Sequence, residues 1–200
     1  MSACSVREYA PGDKILRRGH KTDGLYGLIS GDVRYTTVTA EGEEIILDYF
    51  RPGAWFADIS ALDGGKGIHD ICAASDVRMA WLKISEIARL GEKMQDFYPT
   101  LIKLTCAHVR RLAAAFELII QLSPHQLLAY RICDVSNRNG DCDEIKLRQA
   151  DLAGLAGLSP RGVTKILNRW RDEGLIDTFY GGVRILDRQR LKAVWQKTYL

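Results

Sequence analysis

Arg161, Thr164, Lys165 and Asn168 stand at i, i+3, i+4 and i+7, the spacing that lines one strip of a helix. Arginine can donate two hydrogen bonds to guanine, asparagine can pair bidentately with adenine, and threonine can meet a thymine methyl or a phosphate. Lysine adds a second basic group, so the set suits the groove of duplex DNA. Ser159, just upstream, and the amides that follow it would approach a phosphate, because first-turn N–H groups and the helix dipole favour an anion. The plainer alternative is a charged, solvated face on an ordinary pair of helices.

The elements that must hold this strip are legible around it. Val163, Ile166, Leu167 and Trp170 give the complementary apolar face of the same helix. Ser159 is suited to cap it, Pro160 to fill its first position and Gly174 to stop it, which places a recognition helix from about Ser159 to Glu173. Leu152, Leu155 and Ala156 turn one face of a preceding helix inward, and Gly157 and Leu158 supply a tight bend, so the segment from Ile145 to Ile176 reads as a helix-turn-helix. Beyond it, LIDTFYGGVRILD predicts a β-hairpin wing turning at Gly181 and Gly182, with Tyr180 and Arg184 within reach of backbone phosphate. Arg188, Arg190 and Lys192 read as solvent-facing or weak phosphate contacts. Charge agrees with this placement: residues 144–200 hold 11 Lys or Arg against 6 Asp or Glu, whereas the preceding 143 residues hold 17 against 19, and a phosphate backbone rewards positive charge whatever its sequence.

Other chemistry is poorly supported. Cys4, Cys72, Cys106, Cys133 and Cys142 are scattered without a C-x-x-C pair, and His20, His69, His108 and His125 are equally dispersed, so neither a metal site nor a cofactor is expected. Asp58, Asp63, His69 and Asp70 are the best candidates for an enzyme pocket, but their spacing matches no hydrolase or metal motif and no activated nucleophile stands beside them. No run of eighteen apolar residues and no basic-flanked apolar leader occurs, which predicts a folded cytoplasmic protein with no membrane partner.

Upstream, residues 14–84 are short apolar runs punctuated by glycine, the pattern of many short strands in a small sandwich or barrel. Val33, Tyr35 and Thr37, and again Val77, Met79 and Trp81, alternate as strand faces do, and Ala40 to Glu43 reads as a hairpin turn in which Gly42 takes positive φ. Glycine then becomes rare. Phe97, Leu101, Leu104, His108, Leu112, Ala115, Ile119 and Leu122 recur every three or four residues, predicting a helix of about 25 residues from near Met94, with Pro99 in its first turn. An identical helix of a second subunit is the economical cover for that stripe, packing against its own chain being the alternative. Ser123 and Pro124 restart the chain as a helix from Pro124 to Cys133, followed by a polar loop from Ser136 to Asp143. The boundaries expected are residues 1–93, 94–122 and 123–200.

Taken together, the segment LRQADLAGLAGLSPRGVTKILNRWRDEGLI resembles the DNA-binding signature of the bacterial Crp/Fnr family, with Arg161 at a recognition position, Lys165 where a second basic reader is common, and Gly162 where glutamate is frequent. The resemblance extends over almost the whole chain and implies an α+β fold: an N-terminal cyclic-nucleotide-binding-like β-roll or jelly roll, a long dimerisation helix and a C-terminal winged helix-turn-helix. It also implies a homodimer acting on a roughly palindromic DNA site and touching RNA polymerase. RPGAWFADISAL is similar to the start of the family's phosphate-binding cassette, but Ala57 and Asp58 stand for its Gly-Glu pair. The arginine expected near Gly67 is absent. Lys66 lacks the planar fork that grips a phosphate, so an effector pocket around Ala57, Asp58, Lys66 and His69 should bind cyclic nucleotide poorly. An iron–sulfur cluster is disfavoured because only Cys4 lies near the N-terminus, whereas haem on His69, His20 or Cys72 stays an open alternative. The readings that follow are a regulator controlled by abundance or by an unidentified small molecule, and, as the rival, an interaction module that has lost specific DNA binding.

Overall fold

Glycine-punctuated runs become eight strands in a computed structural model that describes residues 4–38, 42, 44–138 and 140–196. The chain divides into two units, Met1–Leu112 and Ala113–Leu200. In the first, β1 (Ser5–Tyr9), β2 (Lys14–Leu16), β3 (Gly24–Ser30), β4 (Val33–Val38), β5 (Glu44–Phe50), β6 (Trp55–Phe56), β7 (Asp70–Ala73) and β8 (Val77–Lys83) make two antiparallel four-stranded sheets, ordered β1-β8-β3-β6 and β2-β7-β4-β5. Tyr26, Leu28, Phe56, Val77 and Met79 from one sheet meet Ile15, Val33, Ile71 and Ala73 from the other in a single buried core. Each large side chain fully buried there contributes about 1.5–3 kcal/mol.

The expected alternation holds in β8, where Val77 and Met79 are buried and Trp81 is half-buried, with the Arg7 guanidinium 3.5 Å above the Trp81 ring. It fails in β4. There Thr36, not Thr37, is buried along with Val33; opposite, the pairing steps from Tyr35 with Asp48 to Thr36 with Ile46, which leaves Leu47 as the extra residue of a bulge in β5. Of the Ala40 to Glu43 turn, Gly42 has φ +86°, and Ala40, Glu41 and Glu43 lie outside the described residues.

Between β6 and β7 the chain forms α1 (Asp58–Asp63), preceded by Ala57 at φ +69°. A Cβ in this left-handed conformation costs roughly 1–2 kcal/mol, part of which glycine would lose again through its freer unfolded chain. Ala57→Gly is therefore expected to stabilise this unit by roughly 0.5–1 kcal/mol, read as a rise in the urea midpoint. A midpoint that stays put or falls would mean that Ala57 carries no strain.

Two helices follow the strands, α2 (Ile84–Lys93) and α3 (Phe97–Gln121). The sequence reading names only the second of them. A Cβ at Gly91 would sit 2.1 Å from the Tyr98 ring, so glycine permits the close approach where the chain leaves α2 and starts α3 at Phe97 instead of Met94. Pro99 then falls in the first turn of α3, as expected.

The second unit holds α4 (Pro124–Arg138), β9 (Glu144–Ile145), α5 (Gln149–Ala156), α6 (Pro160–Asp172), β10 (Ile176–Phe179), β11 (Gly182–Ile185) and α7 (Arg188–Gln196), with the strands ordered β10-β11-β9. Leu128 and Ile132 of α4, Leu152 of α5, Val163 and Leu167 of α6, Ile176 of β10 and Leu191 of α7 are buried in it. Helix α4 runs past Cys133 to Arg138. Its polar end is helical because Arg138 pairs with Asp134 one turn back at 2.6 Å and buried Ser136 donates its hydroxyl to the Cys142 carbonyl, contacts a polar composition conceals. The wing turn also shifts by one residue: Phe179 pairs with Gly182, leaving Tyr180 and Gly181 as the turn. Gly182 belongs to the strand because a Cβ there would strike Phe179 and the Ile145 carbonyl.

Candidate nucleic-acid interface

The helix-turn-helix is built as its residue types require. Leu152, Leu155 and Ala156 of α5 are buried, Gly157 turns the chain at φ +63°, and the Ser159 hydroxyl accepts from the Gly162 amide at 3.1 Å, with Pro160 opening α6. Val163, Leu167 and Trp170 are buried and Ile166 is half-buried, so one face of α6 is fixed in the core. Gly174 at φ +71° follows the helix, which ends at Asp172 with Glu173 as its C-cap.

Arg161, Lys165 and Asn168 are exposed on the remaining face. The cations further along α6 are different: Arg169 pairs with Glu173 at 2.7 Å and Arg171 lies 4.0 Å from Asp172. Among the described residues no carboxylate pairs with Arg161 or Lys165. Thr164 is half-buried, its hydroxyl 2.7 Å from Gln149 Oε1 and 2.9 Å from the Pro160 carbonyl. Gln149, the first residue of α5, went unnoticed in the sequence because nothing in its type or spacing marks it as the partner of Thr164 on the next helix. At Gly162 an added Cβ would make only ordinary contacts, the nearest 3.4 Å from Ser159 Oγ. Packing does not require glycine there, although it lowers helix stability by about 0.8–1 kcal/mol relative to alanine.

On the wing, Tyr180 is fully exposed at the tip, whereas Arg184 is engaged across the sheet by Glu144 at 2.7 Å. Arg188 departs from its reading as a solvent or phosphate contact. Its guanidinium donates to Ser136 Oγ, Asn137 Oδ1, the Asp141 carbonyl, Asp141 Oδ1 and Asp143 Oδ1, binding the start of α7 to the last turn of α4 and the loop after it. Arg190 is exposed and Lys192 half-buried.

The stripe read on α3 separates into two faces. Leu101 is buried, and Phe97 and Leu104 are half-buried, in a cluster with Leu25, Leu82 and Ile87 of the same unit; His108 lies against Asp58. Those four positions, expected to meet a partner helix, pack in whole or in part against their own chain. Leu112 and Ile119 are exposed and Ala115 is half-buried. The exposed apolar face also takes in Ile102, Val109, Phe116 and Ile120, with Leu112 71% and Phe116 63% accessible. The strict seven-residue spacing of Ile102, Val109 and Phe116 was the signal for it.

The sensor-region residues are placed as follows. Asp58 is 4% exposed; it accepts from Thr105 Oγ1 at 2.8 Å and lies 3.1 Å from His108 Nδ1. Lys66 is exposed, its backbone bridged to Lys21. His69 packs its ring 4.5 Å from that of Tyr35, and its pKa is lowered by burial and by Arg18, with Asp70 opposing. Burial, aided by Asp58 and Asp48, pushes the Tyr35 phenol up to about 12. Asp63 accepts from its own Gly65 amide at 2.6 Å, and Asp70 holds Lys14 Nζ and the Arg18 amide at 2.8 and 2.7 Å. Each carboxylate is thus engaged in a different place, not gathered into an acid–base site. Among the described residues no group of three or more His, Cys, Asp or Glu could hold a metal ion, and no helix is long and apolar enough to cross a membrane.

Comparison with known proteins gives this arrangement its relatives. Residues 6–93 match the model of the cyclic nucleotide-binding domain and residues 125–194 that of the Crp-like helix-turn-helix domain. The transcriptional regulator SdrP of Thermus thermophilus is 30% identical over 94% of each chain. The cAMP-activated global transcriptional regulator CRP of Pasteurella multocida is 23% identical over 88% of this chain and 87% of its own. Among solved structures, FixK2 from Bradyrhizobium japonicum superposes with a TM-score of 0.82 at 17% identity, covering 96% of both chains. The c-di-GMP responsive global regulator CLP of Xanthomonas campestris gives 0.79 at 17%, covering 92% of this chain and 94% of its own; these two likenesses concern the fold. With a β-roll, a long helix and a winged helix-turn-helix matched from end to end, the chain belongs to the Crp/Fnr family of DNA-binding transcription regulators and not to a family of enzymes.

Proposed function

We propose that the protein acts as a homodimer that reads a palindromic site with one α6 in each of two successive major grooves, about 34 Å apart, and does so without cyclic AMP. The observation that carries the reading is the two-sided α6: Val163, Leu167 and Trp170 anchored, Arg161, Lys165 and Asn168 open to solvent. In this reading Arg161 and Lys165 contact base edges, Asn168 and Thr164 add discrimination, Ser159 and the first-turn amides hold a phosphate, and Tyr180 approaches the backbone from the wing. Arg184 takes part only by exchanging Glu144 for a phosphate. The exposed heptad face of α3 supports dimerisation, and RNA polymerase is the further partner that family membership suggests.

Independence of cyclic AMP rests on the sensor region, where Asp58 is engaged by α3 and no arginine neighbours Lys66 in the sequence. Relatives with this fold are described as responding to different molecules, cAMP for one and c-di-GMP for another, so the fold itself does not dictate an effector.

The test is selection of duplexes from a random pool by the purified protein with nothing added. Two similar half-sites should emerge. Arg161→Ala should then weaken binding to the selected duplex by about 1–3 kcal/mol and relax preference at one base position in each half. Equal weakening on selected and random DNA would show that Arg161 binds phosphate and reads no base; recovery of no preferred sequence would count against the whole reading.

A further inference from the structure

We infer that Asp58 is a positioning residue that holds α3 in its DNA-competent placement without an effector, supplying from the protein's own chain the link between β-roll and long helix. The inference rests on the proposed cyclic-AMP-independent DNA binding and names the residues responsible for it.

The geometry is specific. Asp58 opens α1 and is almost completely buried, an expensive place for a carboxylate unless donors meet it. Its two donors come from α3: the Thr105 hydroxyl at 2.8 Å and the His108 ring at 3.1 Å, both on the same Oδ2. Thr105 and His108 are one turn apart, and the next position in the same row, Arg111, donates to Asp48 of β5 at 2.9 Å. Three successive polar residues on one face of α3 are thus met by two acids of the β-roll. Leu101 and Leu104 pack apolar surface beside them.

This anchorage fixes which way α3 faces. With Leu101, Leu104, Thr105, His108 and Arg111 turned to the β-roll, Ile102, Val109 and Phe116 are the residues turned out. Advancing α3 by one residue is a 1.5 Å slide and a 100° rotation, enough to break both contacts to Asp58 and to carry the outward row away from a facing helix. A ligand hydroxyl seeking Asp58 Oδ2 would have to displace Thr105 or His108. Asp58 therefore serves the placement of α3, and its Oδ2 is not open to a small molecule.

The test uses the full-length protein. Amide exchange should show α3 protected over residues 101–112 with no ligand present, unchanged by added cAMP, and released in Asp58→Asn and in Thr105→Val but not in Thr105→Ser. The first two variants should bind the selected duplex about tenfold or more weakly, in the range of ordinary coupling between sites, while affinity for random duplex, which needs no fixed helix spacing, stays within about twofold. Unaltered exchange and wild-type affinity in Asp58→Asn would overturn the inference, as would a wild-type protein that gains α3 protection only when cAMP is added. If no duplex is preferred by the wild type, exchange alone decides: release of α3 in Asp58→Asn supports its hold on the helix even though the DNA-binding reading has failed, and no release overturns it.

Discussion

Phe116→Glu is expected to leave the protein monomeric at micromolar concentration and to weaken binding to a two-half-site duplex by a factor of about 10²–10⁴. Phe116 is 63% exposed in the single chain and sits between Leu112 and Ile119–Ile120 on the outward face of α3. In a pair of such helices related by a two-fold axis, a carboxylate at this position faces its own copy across an apolar seam, where it can be neither hydrated nor paired. The large effect on DNA follows from linkage more than from any lost contact. Once one α6 is seated, the other meets its half-site at an effective concentration near millimolar, and a monomer forfeits that advantage. Sedimentation of the free protein and titration against one and two half-sites would read both effects together. A variant that still sediments as a dimer would exclude this face as the seam; a monomer that kept full affinity would exclude two-handed recognition.

Trp170→Ala should remove about 3–5 kcal/mol from the second unit, the cost of deleting a large aromatic side chain from a packed core. Trp170 is 3% exposed and shares the buried face of α6 with Val163 and Leu167. Against a total stability of roughly 5–15 kcal/mol for a domain, such a loss moves the urea midpoint of this unit by more than about 1 M. Trp195, packed edge-on against Tyr130 at 5.1 Å, remains as a fluorescent reporter of the same unit. Trp55 and Trp81 report the other, whose transition should not move. An unchanged transition on the Trp195 signal would mean that α6 is held in place by something other than the apolar face assigned to it.

How much of this was readable beforehand depends on whether the deciding interaction is local. The bounds of α6, its cap at Ser159 and its buried and open faces follow from periodicity and capping within fifteen residues, and they appear in the fold almost unchanged. The bulge at Leu47 depends on how β5 pairs with Tyr35 and Thr36 of β4, and α4 outruns its apolar pattern because Ser136 and Arg138 find partners in space. The α3 helix shows the limit most clearly. A chain apolar on two faces offers two stripes, and periodicity alone cannot tell which one its own β-roll will cover; Leu101 and His108 went to the near side and Phe116 to the far side. Asp58 was noticed for its position in a pocket motif, but its attachment to residues 47 and 50 places downstream leaves no trace in spacing.

Arg188 carries an implication for how this chain can drift. Five acceptors on four residues converge on one planar fork, and a lysine offers only three donors from a single nitrogen. An exchange that passes unnoticed on most surfaces would here leave at least two of the five acceptors without their donor, so the path from arginine to lysine, short in mutational terms, loosens the join between α4 and α7.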